Sequence, residues 1–195
     1  MAEGADVRKH NDEKEVEMTR AMRLLLSISL CGFAGPVLSQ DIELPLRKTP
    51  RPETTTGVPH IQIDAKGNQA LSDELIRRVA EFPGVEIGST RVSLPGAIGF
   101  QVSHDVALAR PEVIVGGREF AHVHPDGSLH ASLDPGIAKM AVDAGWAIAH
   151  PWADERPGWE GFVMIYTPNS KEELEVVFEL VRSSFMFVTG THLPK

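Results

Sequence analysis

Cysteine is almost absent from this chain of 195 residues, which contains a single one, Cys31. One thiol excludes an internal disulfide framework, a zinc site built from several cysteines and an iron–sulfur cluster held by cysteines alone. Any metal must therefore use histidine or carboxylate ligands. We expect no cofactor, with a divalent metal bound by histidines as the alternative.

Basic residues are also scarce, since 19 Lys and Arg stand against 27 Asp and Glu, for a net charge of -8. A chain without a basic surplus has no broad positive field to hold a nucleic-acid backbone. The glycine-rich dinucleotide fingerprint, the phosphate loop and the Gly-x-Ser-x-Gly elbow are absent from the sequence. We therefore expect a small-molecule partner and no nucleic acid, while the oligomeric state stays open.

No apolar run reaches the roughly twenty residues that a membrane-spanning helix needs. The longest run, 24–35, follows Arg20 and Arg23 and precedes small residues that end at Ser39. This order is typical of a cleaved secretory signal. It predicts a leader over 1–39, with Met22 as a candidate start, and a mature protein that is periplasmic or secreted and not in the membrane. A cytosolic protein with a buried N-terminal helix is the alternative.

The mature chain divides by composition. Residues 40–69 contain four prolines and a Thr-Thr-Thr-Gly stretch without sustained periodicity, which predicts a linker. Residues 70–195 have the length of one domain with one core.

Apolar residues at helical spacing follow three capping signals in this domain. They predict helices over 72–82, 134–145 and 170–185, capped by Ser72, Asp134 and Ser170. Strand-like runs cover 85–94, 98–102, 112–115, 119–124, 129–133 and 162–166. The pattern predicts an α+β fold, a mostly antiparallel sheet with about three helices packed on one face.

The most informative segment is a predicted hairpin that turns at Pro125-Asp126-Gly127. Proline, aspartate and glycine in this order favour a three-residue loop, with the glycine in the left-handed conformation. This loop would pair His124 with Ser128 and His122 with His130. A loop of two or four residues would place His130 on the other face, because a slip of one residue turns a strand over.

Alternation along the two strands then separates a polar face from an apolar one. The apolar face carries alanine, valine and leucine and is predicted to be core. The polar face carries Phe120, His122, His124, Ser128, His130 and Ser132.

Three neighbouring imidazoles allow three interpretations. His122, His124 and His130 are suitable metal ligands, although the glutamate that follows His-x-His in cupin iron sites is missing. The same rings are suitable general bases, because their free pKa lies close to neutral pH. They also fit a polar face with a structural role.

A second group of candidates follows the middle helix, where all three tryptophans lie within fourteen residues. Trp146 and Trp152 flank His150 and are predicted to wall a pocket for a planar ligand, or else to cover the edge of the core. Arg118, just before the hairpin, is a candidate partner for an anionic ligand oxygen, with a surface arginine as the alternative. Together with Phe120 and Ser128 these residues form the predicted substrate-binding set.

The order of these pieces resembles the luciferase-like domain shared by fungal luciferases and small bacterial proteins. The resemblance rests on the hairpin from Glu119 to His130, the pairs Gly145-Trp146 and His150-Pro151, and the segment 164–166 before the last helix. In luminous fungal members it implies an oxygenase that adds molecular oxygen to a hydroxylated pyrone, without an established cofactor. Four positions carry over as catalytic candidates: His122, His124, His130 and His150.

These observations predict a small exported oxygenase-type oxidoreductase that acts on a hydroxylated aromatic or pyrone-like substrate through a histidine cluster. The alternative is a noncatalytic periplasmic module that binds a ligand or a metal with the same face. A third possibility is a structural domain whose histidines stabilise the hairpin.

Overall fold

The computed structural model describes residues 42–194. Its centre is one six-stranded antiparallel sheet in the order β1-β2-β3-β4-β6-β5. The strands are β1 Val85–Ser89, β2 Ile98–Val102, β3 Glu119–Val123, β4 Leu129–Ser132, β5 Ala147–Ala149 and β6 Phe162–Ile165. With three α-helices in the same region, this arrangement confirms the α+β prediction.

The helices are α1 Gln69–Val79, α2 Pro135–Asp143 and α3 Lys171–Thr189. Asp134 and Ser170 cap α2 and α3 as predicted, since each side chain accepts a hydrogen bond from a backbone N–H of the first turn. The first helix begins earlier than predicted. Its cap is Asn68, which accepts from the N–H of Ala70, and Ser72 lies buried inside the helix.

Two predicted strands differ from the structure. The run 112–115 is instead a short 3-10 helix, Pro111–Val113, because proline sets the backbone angle of a first helical turn. The first strand ends at Ser89, well before residue 94. Strand β5 was not predicted, since its Ala-Ile-Ala sequence has little strand propensity and forms an edge strand by pairing with β6.

The apolar core lies between the sheet and the helices. Buried residues of all three helices join one cluster with alternate residues of the central strands, including Ala121, Leu129 and Ala131. We call this side of the sheet the helix face. The opposite side, which carries His122, His124 and His130, is the histidine face.

Residues 42–67 form an N-terminal arm that packs on the domain, where the sequence predicted a linker. Ile42 and Leu44 lie against the apolar core. Trp146 Nε1 donates to the Pro45 carbonyl at 2.6 Å, and Arg47 forms an ion pair with Glu173 at 3.2 Å. Proline and threonine content did not reveal these contacts, because they are made with residues about a hundred positions away.

The predicted leader, including Cys31, lies outside the described residues. Within 42–194, none of the helices has the length and apolar character to cross a membrane.

Candidate functional site

The β3–β4 hairpin has the predicted register. His122 pairs with His130, and the His124 N–H donates to the Ser128 carbonyl at 2.7 Å across the turn. Gly127 has φ 81°, the left-handed conformation that the three-residue loop requires. The turn therefore places three imidazoles on one face, where each is at most 5% exposed.

A β-bulge changes the beginning of β3 and decides where one predicted site residue lies. Phe100 pairs with Ala121, yet the next residue of β2, Gln101, pairs with Glu119, so Phe120 is an extra residue. Its ring lies 5.6 Å from that of Phe185 in α3 and 6.1 Å from that of Phe100. Phe120 therefore belongs to the helix face and does not line the site.

The same bulge brings Glu119 to the histidine face, a carboxylate that sequence reasoning missed. Its oxygens accept from His122 Nδ1 at 2.8 Å, from the Thr90 hydroxyl at 2.7 Å and from the Arg91 N–H at 2.8 Å. A Cβ at Gly99 would lie 2.6 Å from a Glu119 oxygen, so the carboxylate occupies space that this glycine leaves free. Glu119 thereby fixes the orientation of His122.

A chain of hydrogen bonds runs from this carboxylate to His130. His122 Nε2 lies 3.0 Å from His130 Nδ1. With His122 Nδ1 donating to Glu119 and His122 Nε2 accepting, the proton between the rings belongs to His130. The Nε2 atom of His130 is then a free lone pair, and it is buried without a hydrogen-bond partner among residues 42–194.

His124 is oriented in a similar way by the turn. The Ser128 hydroxyl donates to Asp126 Oδ1 at 2.7 Å, so it accepts from His124 Nδ1 at 3.0 Å. The Nε2 lone pair of His124 is consequently free, and this atom too is buried without a partner in the described part of the chain. Ser128, which is predicted to bind substrate, supports this ring in the structure.

His150 joins the cluster from the segment after β5. Its ring centroid lies 4.6 Å from that of His130 and 5.1 Å from that of Trp152. Its Nδ1 accepts the backbone N–H of Trp152 at 3.1 Å, so the proton of the neutral ring is on Nε2. His150 therefore offers a donor where His124 and His130 offer acceptors.

His60 is a fifth member, contributed by the N-terminal arm and not predicted from the sequence. Its ring stacks on His130 at 5.4 Å and meets His150 edge-on at 5.1 Å. It is 3% exposed, and its Nδ1 has no partner within 42–194. Nothing in its Pro-rich surroundings distinguished it, because the signal is spatial.

The five histidines share a cavity of about 310 Å³. The remaining wall is largely apolar and comes from the arm, the segment after β1, the segment before β3, the segment after β5 and the start of β6. It consists of Val58, Pro59, Ile61, Val92, Ser93, Leu94, Val115, Trp152 and Phe162. A cavity of this size suits a small molecule.

Burial keeps several of these imidazoles neutral. Desolvation, with smaller contributions from neighbouring histidines, lowers the pKa of His124 to about 4 and that of His150 to about 3. The pKa of His130 lies well below its ordinary value for the same reasons, and desolvation also lowers that of His60. These rings have lone pairs available at neutral pH.

Two further predicted substrate-binding residues lie away from the cavity. Arg118 donates to the backbone carbonyls of Val102, Ser103 and Val106 and so closes a loop. Trp146 is buried in the apolar core, and its N–H holds the arm. Of the predicted tryptophans, Trp152 lines the cavity.

The cluster has the composition of a metal site as well as of an acid–base site. Within residues 42–194, two sets of three residues each place one donor atom within 4.8 Å of the others: His122 with His124 and His130, and His60 with His130 and His150. The first set is the one that the sequence analysis considered as metal ligands.

Comparison with known proteins supports the resemblance to one family. The family model described as Luciferase domain matches residues 117–184, which include the whole hairpin and most of α3. Luciferases of Armillaria gallica and Armillaria mellea are 29% and 30% identical to this chain over 171 and 173 aligned positions. The resemblance drawn from the histidine hairpin is confirmed.

Each of these alignments includes 76% of this chain and 62% of the relative. The chain thus spans less than two thirds of the length of the curated relatives that it matches. No solved structure matches the chain significantly.

Proposed function

Because residues 117–184 form a luciferase-like domain, we propose that its cavity binds a small planar hydroxylated molecule and promotes oxidation of this molecule by molecular oxygen. One observation carries the proposal: buried imidazoles with free lone pairs, those of His124 and His130, face a cavity together with a ring that offers an N–H donor, His150. This combination suits an enol or phenol.

The shape of the cavity supports a flat substrate. Trp152 and Phe162 supply aromatic wall, and Phe162 lies 4.4 Å from His150 between ring centroids. A planar conjugated ring placed beside them keeps its apolar faces out of water. Its hydroxyl group then points to the imidazoles.

The proposed reaction begins with loss of the hydroxyl proton. The resulting oxyanion accepts a hydrogen bond from His150 Nε2–H, which stabilises negative charge in a water-poor site. The electron-rich ring carbon of the anion then forms a carbon–oxygen bond with oxygen, which is reduced to the peroxide level as the ring is oxidised. The released proton passes to an imidazole lone pair or, where a cation holds these lone pairs, to solvent.

The test is oxygen consumption. The full chain is incubated with a panel of hydroxylated pyrones and phenols, and oxygen uptake is followed with an electrode. We expect uptake with at least one compound, and a fall of about 10²-fold or more in His150→Phe because the oxyanion donor is lost. His104→Phe changes an exposed histidine and serves as the matched control.

Saturable binding of a panel compound without oxygen uptake would contradict the enzyme and favour the noncatalytic binding module. Absence of both binding and uptake would contradict the proposed substrate class.

We also propose that the protein is exported and that its partner is a small molecule rather than a nucleic acid or a membrane. N-terminal sequencing of protein recovered from outside the cytoplasm tests the predicted cleavage after Ser39.

A further inference from the structure

We propose that His122, His124 and His130 bind one divalent transition-metal ion on the histidine face. Their donor atoms lie within 4.8 Å of one another, and all three residues are at most 5% exposed. Neutral imidazole is the commonest metal ligand, and a set of three leaves positions on the ion for a substrate. The inference concerns metal binding itself and does not depend on the proposed oxidation.

The first argument comes from the spacing of the nitrogens. His122 Nε2 and His130 Nδ1 are 3.0 Å apart. Two imidazole nitrogens at about 2.1 Å from one ion are separated by about 3.0 Å at a right angle and by about 3.4 Å at the tetrahedral angle. The pair is therefore already at ligand spacing, and His124 completes the set from a ring centroid 4.7 Å from His130 and 5.2 Å from His122.

The second argument is a buried nitrogen lone pair without a partner. His124 Nε2 is buried and has no hydrogen-bond partner in the described chain. A buried polar atom without a partner costs free energy and calls for an unseen group. A cation is the group that lone pairs on several neutral rings can satisfy together.

The third argument is the support behind the rings. Metal-binding histidines characteristically donate their second N–H to a carboxylate or another oxygen, which fixes the ring and increases its basicity. His122 donates to Glu119 at 2.8 Å, and His124 donates to Ser128, which in turn donates to Asp126. Each of these two rings thus has Nδ1 occupied and presents Nε2 to an ion, which would replace the proton that His122 Nε2 shares with His130 Nδ1.

The competing set of His60, His130 and His150 lacks this support. His150 Nδ1 accepts an N–H, so the proton of the neutral ring is on the nitrogen that a metal would need. His60 Nδ1 has no partner within 42–194 to fix the ring, and His60 belongs to the arm rather than the sheet. The hairpin set is also held in register by β3 and β4.

Imidazole ligands suit zinc, copper, iron and nickel, so the ligand set does not choose one metal. When bound, the ion would supply positive charge for a deprotonated substrate oxygen in the same cavity. His150, with its N–H, would then act as a hydrogen-bond donor rather than as a ligand.

The experiment titrates metal-free, tag-free full chain with Co²⁺ and with Zn²⁺ in the absence of substrate. We expect one equivalent of metal by equilibrium dialysis and visible Co²⁺ absorption characteristic of nitrogen ligands. His122→Ala and His124→Ala should each lose the stoichiometric binding. His60→Ala and the exposed-site controls His104→Ala and His192→Ala should keep it.

Glu119→Gln keeps the shape of the supporting residue and removes its charge, so it should weaken metal affinity by about 10- to 100-fold. This variant, together with the metal-induced rise in Tm, keeps the proposal testable if a ligand variant folds poorly. A similar loss of affinity in Glu112→Gln, a carboxylate exposed on the 3-10 helix, would overturn the assignment of Glu119.

Absence of stoichiometric binding to the folded chain overturns the proposal, as does binding that survives both His122→Ala and His124→Ala. Binding lost in His60→Ala but kept in His122→Ala overturns the assignment of ligands.

The outcome of the metal titration is separable from that of the oxygen assay. A metal-loaded chain without oxygen uptake contradicts the proposed function alone, and a metal-free chain with full uptake and no metal affinity contradicts this inference alone.

Discussion

The two faces of the hairpin are equally buried and chemically opposite. On the helix face, Leu129 and Ala131 are fully buried and join the apolar core. One residue away along the same strands, His122 and His130 are also almost fully buried, but they lie among polar atoms. Burial alone therefore does not identify the residues that stabilise this fold.

The difference lies in how the polar groups are satisfied. Neither leucine nor alanine has a side-chain polar atom that needs a partner. The imidazoles of His124 and His130 keep one nitrogen each without a partner in 42–194, and desolvation lowers their pKa. A face that costs stability in this way is characteristic of a site that serves chemistry rather than folding.

The largest effect is expected on the helix face. Leu129→Ala should lower the free energy of unfolding by about 2–5 kcal/mol, because it opens a cavity in a fully buried part of the core. Urea denaturation measures the loss. Met140→Ala removes a side chain that is 41% exposed and should change stability by less than about 0.5 kcal/mol. A loss below about 1 kcal/mol for Leu129→Ala would show that the two faces do not differ as described.

Acid should lower the stability of the protein through the histidine face. The pKa of His124 is lowered to about 4 in the folded chain and has its ordinary value of 6.5 in the unfolded chain. Between these two pH values the unfolded chain is protonated at this ring and the folded chain is not. Stability present above pH 6.5 is therefore lost as the pH falls toward 4, by about 1.4 kcal/mol per pH unit for this one group. Urea denaturation across this range measures the slope.

The control for the acid effect is His124→Asn, which lacks the titrating ring and should show a shallower slope between pH 6.5 and 4.5. His104→Asn, at an exposed position, should keep the original slope. Equal slopes in the protein and in His124→Asn would contradict the low pKa.

Removing an anchor of the arm should have an intermediate effect. Trp146→Phe keeps an aromatic ring in the core but loses the N–H that donates to the Pro45 carbonyl at 2.6 Å. We expect a loss of about 1–3 kcal/mol, because the Pro45 carbonyl loses its donor and the smaller ring leaves part of the buried indole volume unfilled. Limited proteolysis should also cut within 42–67 faster than in the parent, and an unchanged rate would contradict the anchoring role.

Prediction from sequence succeeded where the signal is local. The turn at Pro125-Asp126-Gly127 fixes the register of neighbouring strands, and strand periodicity then places His122 opposite His130. Capping residues fixed the start of the second and third helices for the same reason.

Prediction failed where a distant pairing decides. The bulge opposite β2 moves Phe120 to the core and Glu119 to the site, and the sequence of β3 does not show which strand lies beside it. His60 reaches the cluster because the arm folds back over the histidine face, through contacts such as Gln62 Oε1 accepting the Thr167 N–H at 3.1 Å. Neither event leaves a periodic pattern.

The smallest effect on stability, and the sharpest comparison of the two faces, is expected from His124→Leu. The substitution removes the unpartnered Nε2 atom and puts an apolar side chain in place of the imidazole, while Ser128 still donates to Asp126. Stability at pH 7 should change by less than about 1 kcal/mol, because no buried donor is left unpaired. A loss above about 2 kcal/mol in urea denaturation would mean that this imidazole stabilises the fold as a core residue does. With the fold intact, the same variant should lose stoichiometric Co²⁺ binding, whereas His104→Leu should keep both properties.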